Sequence, residues 1–381
     1  MNEVSAQNTE NFARLRETLI EPTQENWKAL LELLEQWPED SMRLALDYAK
    51  IHLSEWPDKL RSYPFWEPEE LLLKPKDWFV HELATTIAIE ELVMAGRYGR
   101  KVAKAVVSDP NLTANLRYLS FHCSEIEDPI GTAIAKNENF KNLHTLDLFC
   151  SEFIHKGARA IARSPFLRNL RILKIRYCGN GAQGRRVTQA LAKSPNLANL
   201  HTLSLKYSEI GFDDIEGIKA LASSPNLSKL RILDLEDNSI GNGGVIALTH
   251  SVHIKNLQSL DLRNNKIGDA GAIALANSPN FSNLQYLELS ENDLGDMGAR
   301  ALASSPNLSN LQSLYLESND KLGSEGIQTI GFSENLGTSV RSSYLRKLTK
   351  KALIEESSKR GLKGLSKLNK DKIIELILEK T

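Results

Sequence analysis

The chain is dominated by a frame that returns at fixed intervals. Leu257-Gln258-Ser259-Leu260-Asp261-Leu262-Arg263-Asn264-Asn265-Lys266-Ile267-Gly268 reads LxxLxLxxNxIG, and the same frame restarts at Leu116, Leu143, Leu170, Leu200, Leu230, Leu284 and Leu311. Successive spacings are 27, 27, 30, 30, 27, 27 and 27 residues. The two longer units carry extra residues around Arg185-Arg186-Val187 and Phe212-Asp213-Asp214. A period of this length is the mark of stacked supersecondary units, each unable to bury its own apolar face.

Each unit has a local logic. Leu260 and Leu262 point to one side of a short strand because strand side chains alternate with period two. Gly268-Asp269-Ala270-Gly271 is a turn with backbone freedom. Ala272-Ile273-Ala274-Leu275-Ala276 then reads as a small-residue helix, ended by Ser278-Pro279-Asn280 because proline disfavours helix at the residue before it. Repeats five to eight carry Asn238, Asn265, Asn292 and Asn319 at a position whose amide can satisfy bare backbone groups. Repeats one to four carry Ser124, Ser151, Cys178 and Ser208 there, which predicts a less regular N-terminal half.

These repeats resemble the ribonuclease-inhibitor-like subclass of leucine-rich-repeat proteins over about Leu116 to Phe332. The resemblance implies an α/β solenoid, a right-handed horseshoe with parallel strands on the concave side and helices on the convex side. It also implies binding of macromolecules. The expected division is a helical N-terminal cap over residues 1–98 and a solenoid over 99–332 with one degenerate repeat before Leu116. A linker over 333–347 and a small helical module over 348–381 complete it. All five tryptophans (Trp27, Trp37, Trp56, Trp66 and Trp78) fall in the cap.

The charge is divided along the chain. Residues 341–381 hold 12 Lys and Arg against 5 Asp and Glu, a net of +7, which leaves −8 for the rest of a chain of net charge −1. From Leu348 to Leu378 the pattern is two short helices around a basic loop. Thr349 and Asn369 are their expected caps, and Gly361 ends the first. This segment is similar to SAP motifs and, in Arg360-Gly361-Leu362-Lys363-Gly364-Leu365-Ser366-Lys367-Leu368-Asn369-Lys370, to the N-terminal domain of the Rho terminator. The resemblance implies DNA or RNA contact through Lys359, Arg360, Lys363, Lys367, Lys370 and Lys372. No aromatic accompanies the loop, so contact would be to phosphates and salt-sensitive. The alternative role is a cap for the solenoid.

Other motifs fit the repeat better than they fit chemistry. Gly179-Asn180-Gly181-Ala182-Gln183-Gly184 satisfies GxGxxG but falls in frame with Gly268 and Gly271. Cys123, Cys150 and Cys178, with His122 nearby, lack the short paired spacing of zinc ligands and read as free thiols. Sequons at Asn111, Asn226, Asn280 and Asn307 recur with the repeat. The N-terminus has no signal-peptide pattern, and a cytoplasmic location is expected. No cofactor, metal, membrane or small-molecule substrate is expected.

The frame also writes down a concave face. Its candidate protein-binding residues are Phe149, Lys174, Arg176, Tyr177, Lys206, Tyr207, Asp234, Glu236, Asp237, Asp261, Arg263, Tyr286, Glu288 and Tyr315. Tyrosines beside charges are the residue types that anchor protein interfaces. The expected function is a non-enzymatic interaction scaffold whose basic tail tethers it to nucleic acid. The alternatives are a purely protein-binding inhibitor or adaptor and a docking regulator of an enzyme such as a small GTPase.

Overall fold

The first leucine of every LxL pair lies on a strand of one parallel sheet in the computed structural model. The structure describes residues 3–38, short pieces between 41 and 113 (41, 44–45, 48–49, 52, 62–65, 91–95, 107 and 113), and then 116–122, 128–149, 155–177, 181–211 and 214–380. The strands are β1 (Ser62–Phe65), β2 (Glu91–Ala95), β3 (Tyr118–His122), β4 (Thr145–Phe149), β5 (Ile172–Arg176), β6 (Thr202–Ser204), β7 (Ile232–Asp234), β8 (Ser259–Asp261), β9 (Tyr286–Glu288) and β10 (Ser313–Tyr315). They follow chain order, each hydrogen-bonded to the next. Leu146, Leu173, Leu203, Leu233, Leu260, Leu287 and Leu314 align strand to strand and are all buried.

The helices run α1 (Glu3–Thr18), α2 (Gln24–Glu35), α3 (Asp128–Lys136), α4 (His155–Arg163), α5 (Gly181–Ala192), α6 (Glu216–Ala222), α7 (Gly241–Thr249), α8 (Asp269–Asn277), α9 (Asp296–Ala303), α10 (Ser324–Gly331), α11 (Thr338–Lys347), α12 (Lys350–Lys359) and α13 (Lys370–Lys380). From α3 to α10 they alternate with the strands and form the convex layer. The chain is therefore an α/β solenoid with helical extensions at its ends. None of the described helices is long and apolar enough to cross a membrane.

Three side-chain relays bind each repeat to the next. Asn265 Oδ1 accepts the N–H of Asn238 at 3.1 Å and of Ile240 at 3.2 Å, while its Nδ2 donates to the carbonyls of Leu235 (2.8 Å) and Arg263 (2.9 Å). Asn292 treats Asn265 and Ile267 in the same way, and Asn238 treats Ser208 and Ile210. Asp269 Oδ1 accepts Gly295 and Gly298 N–H at 2.8 Å, and Asn242 and Asp296 do the same one repeat before and after, so the starts of α8, α9 and α10 are each capped by the preceding repeat. A Cβ on Gly298 would stand 2.7 Å from that oxygen, which is why the turn needs glycine there. At the other end, Ser278 Oγ and Asn280 Nδ2 donate to the Thr249 carbonyl at 2.8 and 3.0 Å, taking up a helix C-terminus. The sequons at Asn226, Asn280 and Asn307 are this third relay.

The strands are longest in the N-terminal half. β2 to β5 have five residues and β6 to β10 three. From Ser208 onward asparagine amides bridge successive turns, and backbone bonds such as Tyr207 N–H to the Glu236 carbonyl and Asp237 N–H to the Arg263 carbonyl carry the pairing on past the strand ends. The expectation for Ser124, Ser151 and Cys178 falls outside the described residues, as do the three cysteines, Asn111 and Trp56, Trp66 and Trp78.

Two readings of the ends change. Residues 62–65 and 91–95, read as part of a mainly helical cap, are parallel strands that extend the sheet. Residues 338–347, read as linker, form α11 with Val340, Arg341, Tyr344 and Leu345 buried. Short strands flanked by charged and aromatic residues carry little periodicity, and α11 shows its apolar side only when set against the last repeat. Thr23 does cap α2, accepting Asn26 N–H at 3.0 Å, and Trp37 packs edge-on against Phe12 at 5.0 Å.

Asn265→Ala strips partners from two buried N–H groups and a buried carbonyl at once. A loss of about 3 kcal/mol is expected, read as a lower urea midpoint, and Asn265→Ser should recover only part of it.

Candidate docking surface on the concave face

Three columns of side chains cross the sheet. In each repeat the first, third and fifth strand positions face the hollow, as in Ile232, Asp234 and Glu236. The next residue takes a left-handed backbone before the buried asparagine or its counterpart. Tyr177, Tyr207, Asp237, Asn264, Glu291 and Ser318 all have φ between 52° and 58° there. Left-handed backbone is uncommon for bulky side chains, and the repeat geometry holds Tyr177 and Tyr207 in it.

Those two tyrosines stack at 4.7 Å with an interplanar angle of 16°, and Phe149 meets Tyr177 edge-on at 4.9 Å. Arg176 lies over the Phe149 ring at 4.9 Å and reaches Asp147 at 2.6 Å; Lys174 is 3.6 Å from the same carboxylate. Phe149 and Tyr177 stay 37% and 39% exposed, and Ile232 is 42% exposed on β7. An aromatic step open to solvent thus occupies the middle of the hollow.

Beside it lies a charge cluster centred on Lys206. Its ammonium is 3.3 Å from Asp234, 3.9 Å from Asp261 and hydrogen-bonded to Glu236. Burial disfavours the charged amine, but the bond to Glu236 and the three carboxylates overcome it and hold Lys206 above the ordinary lysine range. Glu236 also accepts from the Tyr207 hydroxyl at 2.9 Å. Burial, then that bond, pushes Tyr207 up to about 12. Burial opposes Glu236 as well, yet its bonds to Lys206 and Tyr207 keep it below the usual carboxylate range. Asp261 goes the other way, up to about 6, first through burial and then through Asp234 and Glu236, against the Arg263 N–H that it accepts. Asp234, Glu236 and Asp261 converge closely enough to suit a metal ion, but the ammonium of Lys206 fills that role.

Toward the C-terminal end the face becomes acidic. Glu288 is buried and accepts Ser290 N–H at 2.8 Å, and Tyr286 lies 5.3 Å from Tyr315. Burial and the charges of Glu288 and Asp261 push Tyr286 up to about 12. Arg263 pairs with Glu291, Asn264 donates to Asp237 at 3.0 Å, and Glu317 is met at 2.6 Å by Lys347 from α11. Of the fourteen residues expected on this face, eleven belong to the three columns, and Tyr177, Tyr207 and Asp237 hold the left-handed position beside them. Lys347 was not legible because it falls in the segment read as linker.

The C-terminal candidates are dispersed. Thr349, Gly361 and Asn369 cap or end their helices as expected, with Gly361 at φ +85°. Arg360, however, lies over the Phe332 ring at 4.9 Å and donates to the Phe332 carbonyl at 3.1 Å. Lys359 pairs with Glu356, Lys372 with Glu375, and Lys370 donates to the Arg346 carbonyl. Lys363 and Lys367 are exposed and have no ion-pair partner among the described residues. Leu345, Leu353, Leu365, Ile373, Ile374 and Ile377 share a core with Phe332. Tyr344 is buried, its hydroxyl 3.3 Å from the Leu314 carbonyl. In the GxGxxG stretch, a Cβ on Gly184 would stand 1.8 Å from the Ser208 carbonyl oxygen, so that glycine serves close contact between repeats.

The family profile described as Leucine Rich repeat matches residues 226–248, 253–276, 282–303 and 307–331. No curated protein matches the chain. Among solved structures it is similar to a protein from Bacteroides fragilis (18% identity, TM-score 0.43, covering 62% of this chain and 66% of that one). It is also similar to an internalin from Listeria monocytogenes (22% identity, TM-score 0.38, 67% and 68%). A third likeness is to the complex of Rad7 and Elc1 in yeast (13% identity, TM-score 0.43, 90% and 88%).

Asp261 fixes a pH dependence. Folded, it keeps its proton to about pH 6, whereas an unfolded aspartate releases it near 3.9. The contribution of Asp261 to stability therefore falls as pH rises from about 4 to about 6, against the opposite contributions of Glu236, Glu317 and Glu356. Asp261→Asn should melt higher than the parent above pH 6, by about 2–3 kcal/mol, with the difference fading below pH 4. Equal melting curves at pH 4 and pH 7.5 would contradict this.

Proposed function

Since the chain is a leucine-rich-repeat solenoid protein, we propose that it is a non-enzymatic scaffold that holds a protein partner in its hollow. The observation that carries this is the aromatic step. Of the large apolar side chains left exposed among the described residues, Phe149, Tyr177, Ile232 and Tyr315 share the concave sheet. Stacked, rigid rings beside desolvated charges are what interface hot spots are made of. The Lys206 cluster beside them is largely neutralised within the protein, so it sets register and orientation more than raw affinity.

The adaptor form of this reading, with the C-terminal unit as an end cap, is supported by Tyr344, Phe332 and Arg360, which join that unit to the last repeat. Nucleic-acid contact by the same unit rests on Lys363 and Lys367.

A photo-reactive phenylalanine placed at Tyr177 or Tyr315 should crosslink a partner that the same residue at Met297, on the convex layer, does not. Tyr177→Ser with Tyr207→Ser should abolish that crosslink at Tyr315 while leaving the melting temperature within a few degrees, since serine already holds the same left-handed position at Ser318. Equal labelling from Met297 would remove the concave reading.

A further inference from the structure

One rim of the solenoid, away from the hollow, carries charge that the fold does not require. At the residue entering each strand stand Arg117, His144, Arg171, His201 and Arg231, the three arginines supplying the charge. They are in register, since the N–H of each donates to the carbonyl of the one before at 2.8 Å. The column continues through the same bonds as Gln258, Gln285 and Gln312. Where α3 and α4 end, and just after α5, are Lys136, Arg163 and Lys193; the matching positions after α6 and α9 are Ser223 and Ser304. Lys141, Arg168, Lys229 and Lys255 lie between the two columns on the same rim.

Acidic residues avoid this edge. The connections 165–172, 195–202, 225–232 and 254–259 contain none, and Glu138 is the one carboxylate in 133–146. Arg171 and Arg231 are exposed and form no ion pair among the described residues, and Arg168 and Lys229 meet only the neutral Asn196 and Asn199. Helix C-termini do favour cations. That preference acts on every repeat alike, yet the positions equivalent to Lys136, Arg163 and Lys193 in the later repeats are Ser223, His250, Asn277 and Ser304, and the strand-entry column turns to glutamine. The charge is thus a property of one stretch of the rim, from β3 to β7, and not of the repeat.

We propose that this rim binds the phosphate backbone of a nucleic acid. Five positions at a strand spacing of about 4.8 Å span about 19 Å, the length of roughly six base-pair steps at about 3.4 Å each. A protein partner would call for aromatic or apolar anchors among the charges. The residues between them here are Pro165, Pro195, Pro225, small polar side chains and buried leucines, with Phe166 a single half-buried ring among them. One half-buried ring is no stacking platform for successive bases, so recognition is of backbone charge and is independent of sequence.

The test uses the full chain and a fluorescein-labelled 20-base-pair DNA duplex, followed by anisotropy across a salt series. Binding at low salt should weaken with rising salt, with a slope of about −0.9 per phosphate contacted. Arg171→Glu with Arg231→Glu should weaken it at least tenfold and flatten the slope. Arg171→Gln with Arg231→Gln should give an intermediate loss, which guards against a folding defect. Lys363→Ala with Lys367→Ala should leave the affinity within twofold. Unchanged binding in the rim variants would overturn the proposal. So would a loss confined to the Lys363 and Lys367 variant, or rim-dependent binding to phosphatidylserine vesicles without binding to the duplex.

Discussion

The interaction on which the rest depends is the bond from a side chain of one repeat to the backbone of its neighbour. Hydrophobic burial draws the leucines inward, but it is not directional and would tolerate repeats slipped or splayed. The Asn238, Asn265 and Asn292 amides and the Ser278 and Ser305 hydroxyls each reach back, and the Asp269 and Asp296 carboxylates reach forward, to a defined N–H or carbonyl one repeat away. They satisfy buried backbone groups that a turn leaves bare, so a register error strands several at once. That is how a chain of small modules acquires one continuous sheet.

A fixed register turns sequence periodicity into surface chemistry. Residues 27 or 30 apart become neighbours, so Asp147 meets Arg176, Lys206 meets Asp234 and Glu236, and Tyr177 stacks on Tyr207. The same register gives the solenoid two separate characters. Its hollow is aromatic and internally charge-balanced at its centre and acidic toward β10. Its strand-entry rim is cationic in one stretch and neutral in the next. Neither pattern is needed to stack the repeats, because the leucine and glycine positions that do so are occupied alike on both sides of each boundary.

The C-terminal segment teaches a different lesson. Its caps at Thr349 and Asn369 were legible, being local hydrogen bonds between residues three apart. The use of its cations was not. Arg360 is committed to the Phe332 ring and carbonyl, and Lys370 to the Arg346 carbonyl, across 28 and 24 residues. A basic run read from composition contains both free charges and charges already engaged, and only long-range contacts sort them.

The sequence by itself determined the repeat, its strand and turn positions, the inward leucines and the membership of the concave columns, because these follow from short periods and local sterics. The tertiary structure alone decided how charges pair, that Asp261 holds its proton to about pH 6, and that α11 closes the last repeat with Tyr344 and Lys347. Those depend on distance and burial between residues far apart in the chain, quantities that no local pattern encodes.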